Sequence, residues 1–345
     1  MKNTEVHLVS YPDGLPTLEH FAVVETELPE LKEREILIKN SYISVDPYMS
    51  GRMEEGSESY AESFGLNEPL EGDAVGEIVA SNHPDYQVGE TVAHMLGWRK
   101  YAVLNPDEWV SEGPEAVDQF AVLRKVDTDL APASCYIGSL GMPGITAYGG
   151  LVYAGEVKSS DTVFVSGAAG AVGSLVGQIA KGRGCTVIGS AGSDEKVRYL
   201  TDTLGFDHAY NYKVTTPSEA LREFAPEGID LYFDNVGGEH LEAALATIRP
   251  WGRIVECGYI SGYGAPVPPG PKNYWPALFL NITIRGLLAP AYFDKYHELY
   301  EEVGNRIKSG EIKFPETILN GIEKTPEAFT GLFTGANLGK MLVKV

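Results

Sequence analysis

The sequence predicts an α/β protein with two parts, a doubly wound parallel sheet and a β-rich, barrel-like domain. Three observations carry this. Residues 162–166 form a short apolar run that enters a glycine-rich turn and then a helical pattern. Helix and strand patterns alternate over 128–310, as a doubly wound sheet requires. Before that stretch, many short strand patterns are punctuated by Pro, Gly and Asp, the mark of a β-rich domain.

The early strands are read at 35–45, 74–80 and 90–94. Those of the second domain are read at 162–166, 185–189, 228–234, 252–257 and 282–286. A helix over 293–307 carries Tyr296, Leu299, Tyr300 and Val303 at helical spacing, which is a packed face. The last segment holds a strand from Glu316, a helix near 326–333 and a strand from Lys340. It is expected to rejoin the first domain. The division is therefore 1–127 with 311–345, and 128–310 between them.

The turn that follows 162–166 has glycine at 167, 170 and 173, a variant of the dinucleotide-binding fingerprint. Val172, Leu175, Val176 and Ile179 then recur at helical spacing, and a second strand follows. Pyrophosphate would sit on the free N–H groups at the helix start. Gly170 lets backbone approach the phosphates and Gly173 lets helix pack on strand. An NAD site places Asp or Glu at the end of the second strand, on the ribose 2′-hydroxyl. Here that end reads Gly189-Ser-Ala-Gly-Ser193, with Lys196 soon after. A small, acid-free strand end near a cation predicts NADP. Lys196 is read either as the 2′-phosphate partner or as a solvated lysine of the next helix, 195–204.

Composition narrows the class. The chain has 345 residues, 43 % hydrophobic and 22 % charged, with net charge −21. That charge argues against binding nucleic acid or an anionic membrane. Cys135, Cys185 and Cys257 lie far apart without a C-x-x-C, so a reducing, cytoplasmic setting is expected. The N-terminus shows no apolar signal stretch, and no apolar run reaches membrane-spanning length. G-x-S-x-G and P-loop patterns are absent, which sets aside hydrolase and ATPase readings. The seven histidines form no ligand-like or triad-like spacing.

Several stretches, taken in order, resemble one family. They are Ser44-Val-Asp-Pro-Tyr-Met49, Gly141-Met-Pro-Gly-Ile-Thr-Ala-Tyr148, Ser166-Gly-Ala-Ala-Gly-Ala-Val-Gly173, Gly189-Ser-Ala-Gly-Ser-Asp-Glu-Lys196, Asn211-Tyr-Lys213, Phe233-Asp-Asn-Val-Gly-Gly238, Cys257-Gly-Tyr-Ile-Ser-Gly-Tyr263 and Gly335-Ala-Asn-Leu-Gly-Lys340. Together they resemble the zinc-independent medium-chain dehydrogenases/reductases, in the group of prostaglandin, alkenal double-bond and curcumin reductases. The resemblance implies a Rossmann domain beside a GroES-like catalytic domain, and a homodimer through the edge strand near 282–287. Ser50-Gly51 departs from relatives that often carry Arg after Tyr-Met.

Catalytic zinc in the alcohol-dehydrogenase branch needs an early cysteine. None precedes Cys135, and the early loop carries Val45-Asp46-Pro47. No metal is expected. Without a Lewis acid, hydride delivery to an isolated ketone is hard, whereas an α,β-unsaturated carbonyl accepts it at the β-carbon. The oxygen that gains charge then needs a hydrogen-bond donor.

By resemblance Tyr263 is that donor. It is read alternatively as an apolar wall of the pocket, with Tyr259 as the nearby competitor for the role. The resemblance also implies cofactor contacts at Ala169, Gly170, Ala171, Val172, Gly192, Lys196, Tyr212, Asn235, Cys257, Gly258, Tyr259 and Asn337. Asn235 and Asn337 are alternatively readable as turn residues. Tyr48, Met49 and Met142 are substrate-side candidates, the methionines also readable as core filler. Pocket size depends on loops 50–70 and 259–275. The sequence thus points to an NADPH-dependent reductase of small enones and alkenals. The alternatives are a quinone reductase of the same superfamily and an NADPH-binding protein without turnover.

Overall fold

The computed structural model describes residues 2–56, 61–109, 123–264 and 270–345. Parts of both pocket loops, 57–60 and 265–269, lie outside the described residues. The chain forms two compact units. One comprises Met1–Gly138, Glu316–Asn337 and Met341–Val345; the other comprises Ser139–Pro315 and Leu338–Lys340. The first division falls after Gly138, later than residue 127, where the short-strand pattern ends. The reason is that the short helix Ala133–Ile137 packs on strands of the first unit.

In the first unit β1 (Lys2–Leu8) pairs antiparallel with β2 (Phe21–Glu27). A larger sheet holds β3 (Ile36–Ser44), β4 (Ala74–Ser81), β5 (Thr91–His94), β6 (Tyr101–Leu104) and β7 (Arg124–Lys125). Strands Glu316–Asn320 and Lys340–Lys344 from the chain's end join it. A short helix, α1 (Pro106–Trp109), follows β6. β3 is the central element, since β4, β6 and the last strand all pair with it antiparallel. Ile36 and Ile38, two residues apart, are fully buried in one core cluster, as the pleat of a half-covered sheet demands, while Ile43 is fully buried in another. Val6, Leu8, Ile43, Met49, Trp98 and Phe329 share one core cluster. Phe329 meets Trp98 edge to face, with ring centroids 5.8 Å apart.

The second unit is built on six parallel strands. They are β8 (Thr162–Val165), β9 (Thr186–Ala191), β10 (His208–Asn211), β11 (Ile229–Asp234), β12 (Ile248–Glu256) and β13 (Thr283–Gly286). Their order across the sheet is β10-β9-β8-β11-β12-β13. The order reverses between β8 and β11, and in such sheets a ligand crevice opens beyond the strand ends at that reversal. The helices that concern the site are α2 (Met142–Tyr148), α3 (Ala171–Gly182), α4 (Asp194–Asp202), α5 (Pro217–Phe224) and α6 (Gly238–Thr247).

Val163, Phe164 and Val165 of β8 are fully buried, as an apolar central strand should be. Phe164 stacks on Tyr232 at 4.8 Å inside a cluster that takes in Ala220 and Leu221 of α5 and Leu241 of α6. Phe206 packs where Gly177 of α3 and Gly189 of β9 leave room. A Cβ at 177 would stand 1.9 Å from its ring, and one at 189 would stand 2.9 Å away. The segment read as one helix over 293–307 is helical but broken into α, π and α turns, Tyr296–Leu299, Tyr300–Gly304 and Asn305–Lys308. Leu299 and Val303 are its fully buried residues.

Candidate active site

The turn after β8 sets the geometry. Gly167 has φ +57°, a left-handed conformation that favours glycine. Ala168 N–H donates to the Ser190 carbonyl at 2.9 Å, which fixes the turn to β9. Gly170 is the N-cap of α3 and no side chain caps the helix. The first-turn N–H groups of Ala171 and Val172 are therefore placed for an anion. A Cβ at Gly173 would lie 2.6 Å from the Gly167 carbonyl oxygen and 2.9 Å from Ala168 Cα, so helix and turn touch backbone to backbone. Gly339 N–H donates to the Ala169 carbonyl at 2.8 Å, so the returning segment also braces the turn.

The end of β9 carries no acid: Ala191, Gly192 and Ser193 lead into α4. Ser193 Oγ accepts from Lys196 N–H and starts that helix one residue before the expected position. Tyr212 lies across Gly192, where a Cβ would meet the phenol oxygen at 3.0 Å. Lys196 is half-buried. Its ammonium is pulled below the usual lysine range by burial and then by Lys213 close by. Lys213 is a second cation here that sequence reasoning missed, although it follows Tyr212 directly. Of the two acids that open α4, Asp194 accepts from Asn211 Nδ2 at 2.8 Å, and Glu195 offsets only part of the shift at Lys196. An acid-free strand end with two lysines and a glycine under an aromatic ring fits a ribose that bears a phosphate. The residues present thus suit NADP.

Across the switch point, Asn235 Nδ2 donates to the Ser166 carbonyl at 2.8 Å. Its N–H donates to Ser166 Oγ at 2.9 Å. Asn235 thus ties the β11 turn to the β8 turn. Cys257 and Gly258 follow β12, and both N–H groups donate to the Asp234 carbonyl, at 2.9 and 3.0 Å. A Cβ at Gly258 would stand 3.4 Å from the Asn235 carbonyl. The Tyr259 ring fills a slot between two glycines. A Cβ at Gly237 would be 2.1 Å from it and one at Gly262 would be 1.7 Å. Tyr259 is thereby a wedge that shapes the turn.

Tyr263 ends that turn half-buried, and burial, followed by Cys257, pushes its hydroxyl above the usual phenol range. It stays protonated at neutral pH and can donate. Met142 opens α2 and is partly exposed.

Tyr48, Met49 and Asn337 belong to the first unit. Tyr48 is half-buried against its core cluster. Met49 corrects the substrate-side reading. Its side chain is fully buried in that cluster, and a Cβ at Gly72 would meet its methyl at 3.1 Å, so it is core filler. Asn337 follows the left-handed Gly335 that ends helix Thr325–Thr334.

The fold and this sheet edge define a dinucleotide-dependent oxidoreductase. Residues 4–111 match the family described as the N-terminal domain of oxidoreductase, and residues 171–305 match that described as zinc-binding dehydrogenase. Among the described residues no three His, Cys, Asp or Glu side chains gather as a metal site, so the zinc of that description has no donor set there.

A putative NADP-dependent oxidoreductase of Bacillus subtilis is 42 % identical, with 99 % of this chain and 97 % of the relative covered. The NADP-dependent 2-alkenal reductase of Nicotiana tabacum is 39 % identical, with 100 % and 98 % covered. The structure of CurA from Vibrio vulnificus in complex with NADPH superposes with a TM-score of 0.89 at 37 % identity, over 99 % of each chain. The chain belongs to the zinc-independent group of the medium-chain dehydrogenase/reductase superfamily.

The backbone contact at Gly173 yields a prediction. Gly173→Val should lower stability by about 2–3 kcal/mol through overpacking, read as the midpoint of urea unfolding. An unchanged midpoint would show that the helix start has room to spare.

Proposed function

We propose that the chain uses NADPH to reduce the carbon–carbon double bond of α,β-unsaturated aldehydes and ketones. The observation that carries this reading is the Tyr263 hydroxyl, kept protonated in the turn after β12, on a sheet edge suited to NADP. Full-length likeness to the tobacco 2-alkenal reductase supports it.

Ala169, Gly170, Ala171 and Val172 hold the pyrophosphate through backbone groups at the start of α3. Gly192 and Lys196, with Lys213, receive the 2′-phosphate, and Tyr212 lies on the adenosine side. Asn235, Cys257, Gly258 and Tyr259 shape the nicotinamide side. By the family resemblance Asn337 would add a cofactor contact, and Tyr48 and Met142 would face substrate. When bound, NADPH supplies the hydride that reaches the β-carbon. Tyr263 donates to the carbonyl oxygen, where negative charge collects. A proton at the α-carbon completes the reduction.

The GroES-like domain is then the catalytic one and the Rossmann domain binds the dinucleotide. A homodimer through β13 fits the same reading. β13 lies at an edge of its sheet, and such an edge is open to pairing. The exposed Trp251 lies on the neighbouring strand β12, and the exposed Trp275, Leu278 and Phe279, in and beside the helix α7 (Pro276–Phe279), precede β13 in the chain. Three cysteines without a disulfide fit the cytoplasm. Among the described residues no helix is long and apolar enough to cross a membrane.

Loss of NADPH absorbance tests the reading with a straight-chain 2-alkenal, a simple quinone and no acceptor. Turnover of the alkenal is expected. Turnover of the quinone alone, or of neither, overturns the reading. Tyr263→Phe should cost about 100-fold in kcat/KM for the alkenal, the size of one lost oxyanion donor. Unchanged turnover would make Tyr263 a wall residue.

Lys196→Ala should raise KM for NADPH roughly tenfold, as one charged contact is lost, and leave NADH nearly unaffected. Equal effects on both would make it a surface lysine.

A further inference from the structure

Asp234 and Glu256 end adjacent parallel strands and are register partners. Register partners project to the same face, with strands ~4.8 Å apart. Asp234 is fully buried. Its Oδ1 accepts from the Tyr232 hydroxyl at 2.6 Å, Ser166 Oγ at 3.1 Å, Val236 N–H at 2.8 Å and Gly237 N–H at 2.7 Å. Its Oδ2 is buried and meets no donor. A bare buried oxygen on an ionised carboxylate is costly. The half-buried Glu256 carboxyl stands within hydrogen-bonding reach of the Asp234 carboxyl. Two carboxylates so placed cannot both ionise.

Among the described residues, the groups around the pair supply no cation. Tyr232 and the Cys257 thiol are held protonated by burial, and Asp234 reinforces this in each. Ser166 faces Asp234 from β8. On the same face His240 of α6 stacks on Phe164, and burial pushes its pKa down to about 4, so it is neutral. Tyr210, stacked on Phe164 from β10, is pushed up by burial. On β13 the register partner of Glu256 is Gly286, while Arg285 is turned to the Tyr153 carbonyl and Glu156.

We propose that Glu256 and Asp234 share one proton across the ends of β11 and β12, and that this proton positions the two turns beside the cofactor. The role of those turns rests on the function proposed above. The turns are stitched outward from the pair. Besides the two N–H groups on the Asp234 carbonyl, Ile260 N–H donates to the Asn235 carbonyl at 3.3 Å and Ser261 N–H to that of Val236 at 3.2 Å. A second negative charge at the root of this ladder pushes β11 and β12 apart and loosens Asn235 and the 257–263 turn. Glu256 acts here as a positioning residue.

Burial, and then Asp234, raise the Glu256 carboxyl from 4.5 to about 7. The folded protein therefore keeps a proton that the unfolded chain gives up. The stability due to this proton is fully present below the ordinary glutamate range and is lost as pH rises to about 7.

Glu256→Gln keeps a donor for Asp234 and removes the titration. Dissociation constants of NADPH and NADH would be measured by fluorescence for both proteins from about pH 6 to about pH 8.5. The wild type should weaken roughly three- to tenfold for both nucleotides, while the variant stays flat. NADH lacks the 2′-phosphate, so any pH dependence from that group drops out. Two readouts need no cofactor. The infrared band of a protonated carboxyl should be present in the wild type at neutral pH and absent in Glu256→Gln. The wild-type melting temperature should fall relative to the variant as pH rises to about 7. These decide the proton even if neither nucleotide binds, which would sink the cofactor reading alone. Parallel pH profiles for the two proteins, or no carboxyl band, overturn the shared proton. A carboxyl band with flat wild-type affinity overturns its positioning role.

Discussion

The candidate site depends on the hydrogen bonds that join the ends of β8 and β11. Ser166 Oγ donates to Asp234 and accepts from the Asn235 N–H, while Asn235 donates back to the Ser166 carbonyl. These bonds cross the point where strand order reverses. A parallel sheet tends to splay there, because the chain leaves in opposite directions on the two sides. The pair of turns is held as one surface, so the turn after β8 and the turn after β11 have a fixed relation. All the partners are buried or half-buried, where such bonds are strongest and costly to lose.

Glycine serves this surface mostly by leaving room. Tyr259 occupies the slot between Gly237 and Gly262, Tyr212 lies over Gly192, and Phe206 fills the gap between Gly177 and Gly189. In each case an aromatic ring takes the volume that a Cβ would claim. The rings are rigid, so loops without regular structure gain definite shape at small entropic cost. Only Gly167, at φ +57°, is demanded by its own backbone conformation within the phosphate turn.

Much of this was readable in the residues. The apolar β8, the three spaced glycines and the acid-free end of β9 are local patterns, and each has one physical reading. The structure keeps all three. What escaped depends on partners distant in the chain. Met49 follows a motif with a binding look, but its burial is decided by Gly72 and Trp98, which no periodicity links to it. Lys213 matters through its neighbour Lys196, seventeen residues back on another element. Glu256 reads as an ordinary strand-end acid until β11 places Asp234 beside it. The break after Gly138 was hidden because Ala133–Ile137 has no strand pattern yet packs on the first sheet.

The cysteines have a consequence for chemical durability. Enals and enones alkylate proteins by adding thiolates, and the thiolate is the reactive form. Burial comes first in raising each of the three thiols, Cys135 above the range where ionisation matters, Cys185 to about 11 and Cys257 to about 12. Asp234 adds to the effect at Cys257, in the turn after β12. A reductase that handles electrophiles therefore presents them with sulfur in its unreactive state. The Asp234 carboxyl, which accepts from the Val236 and Gly237 N–H groups, also helps to hold Cys257 as the thiol.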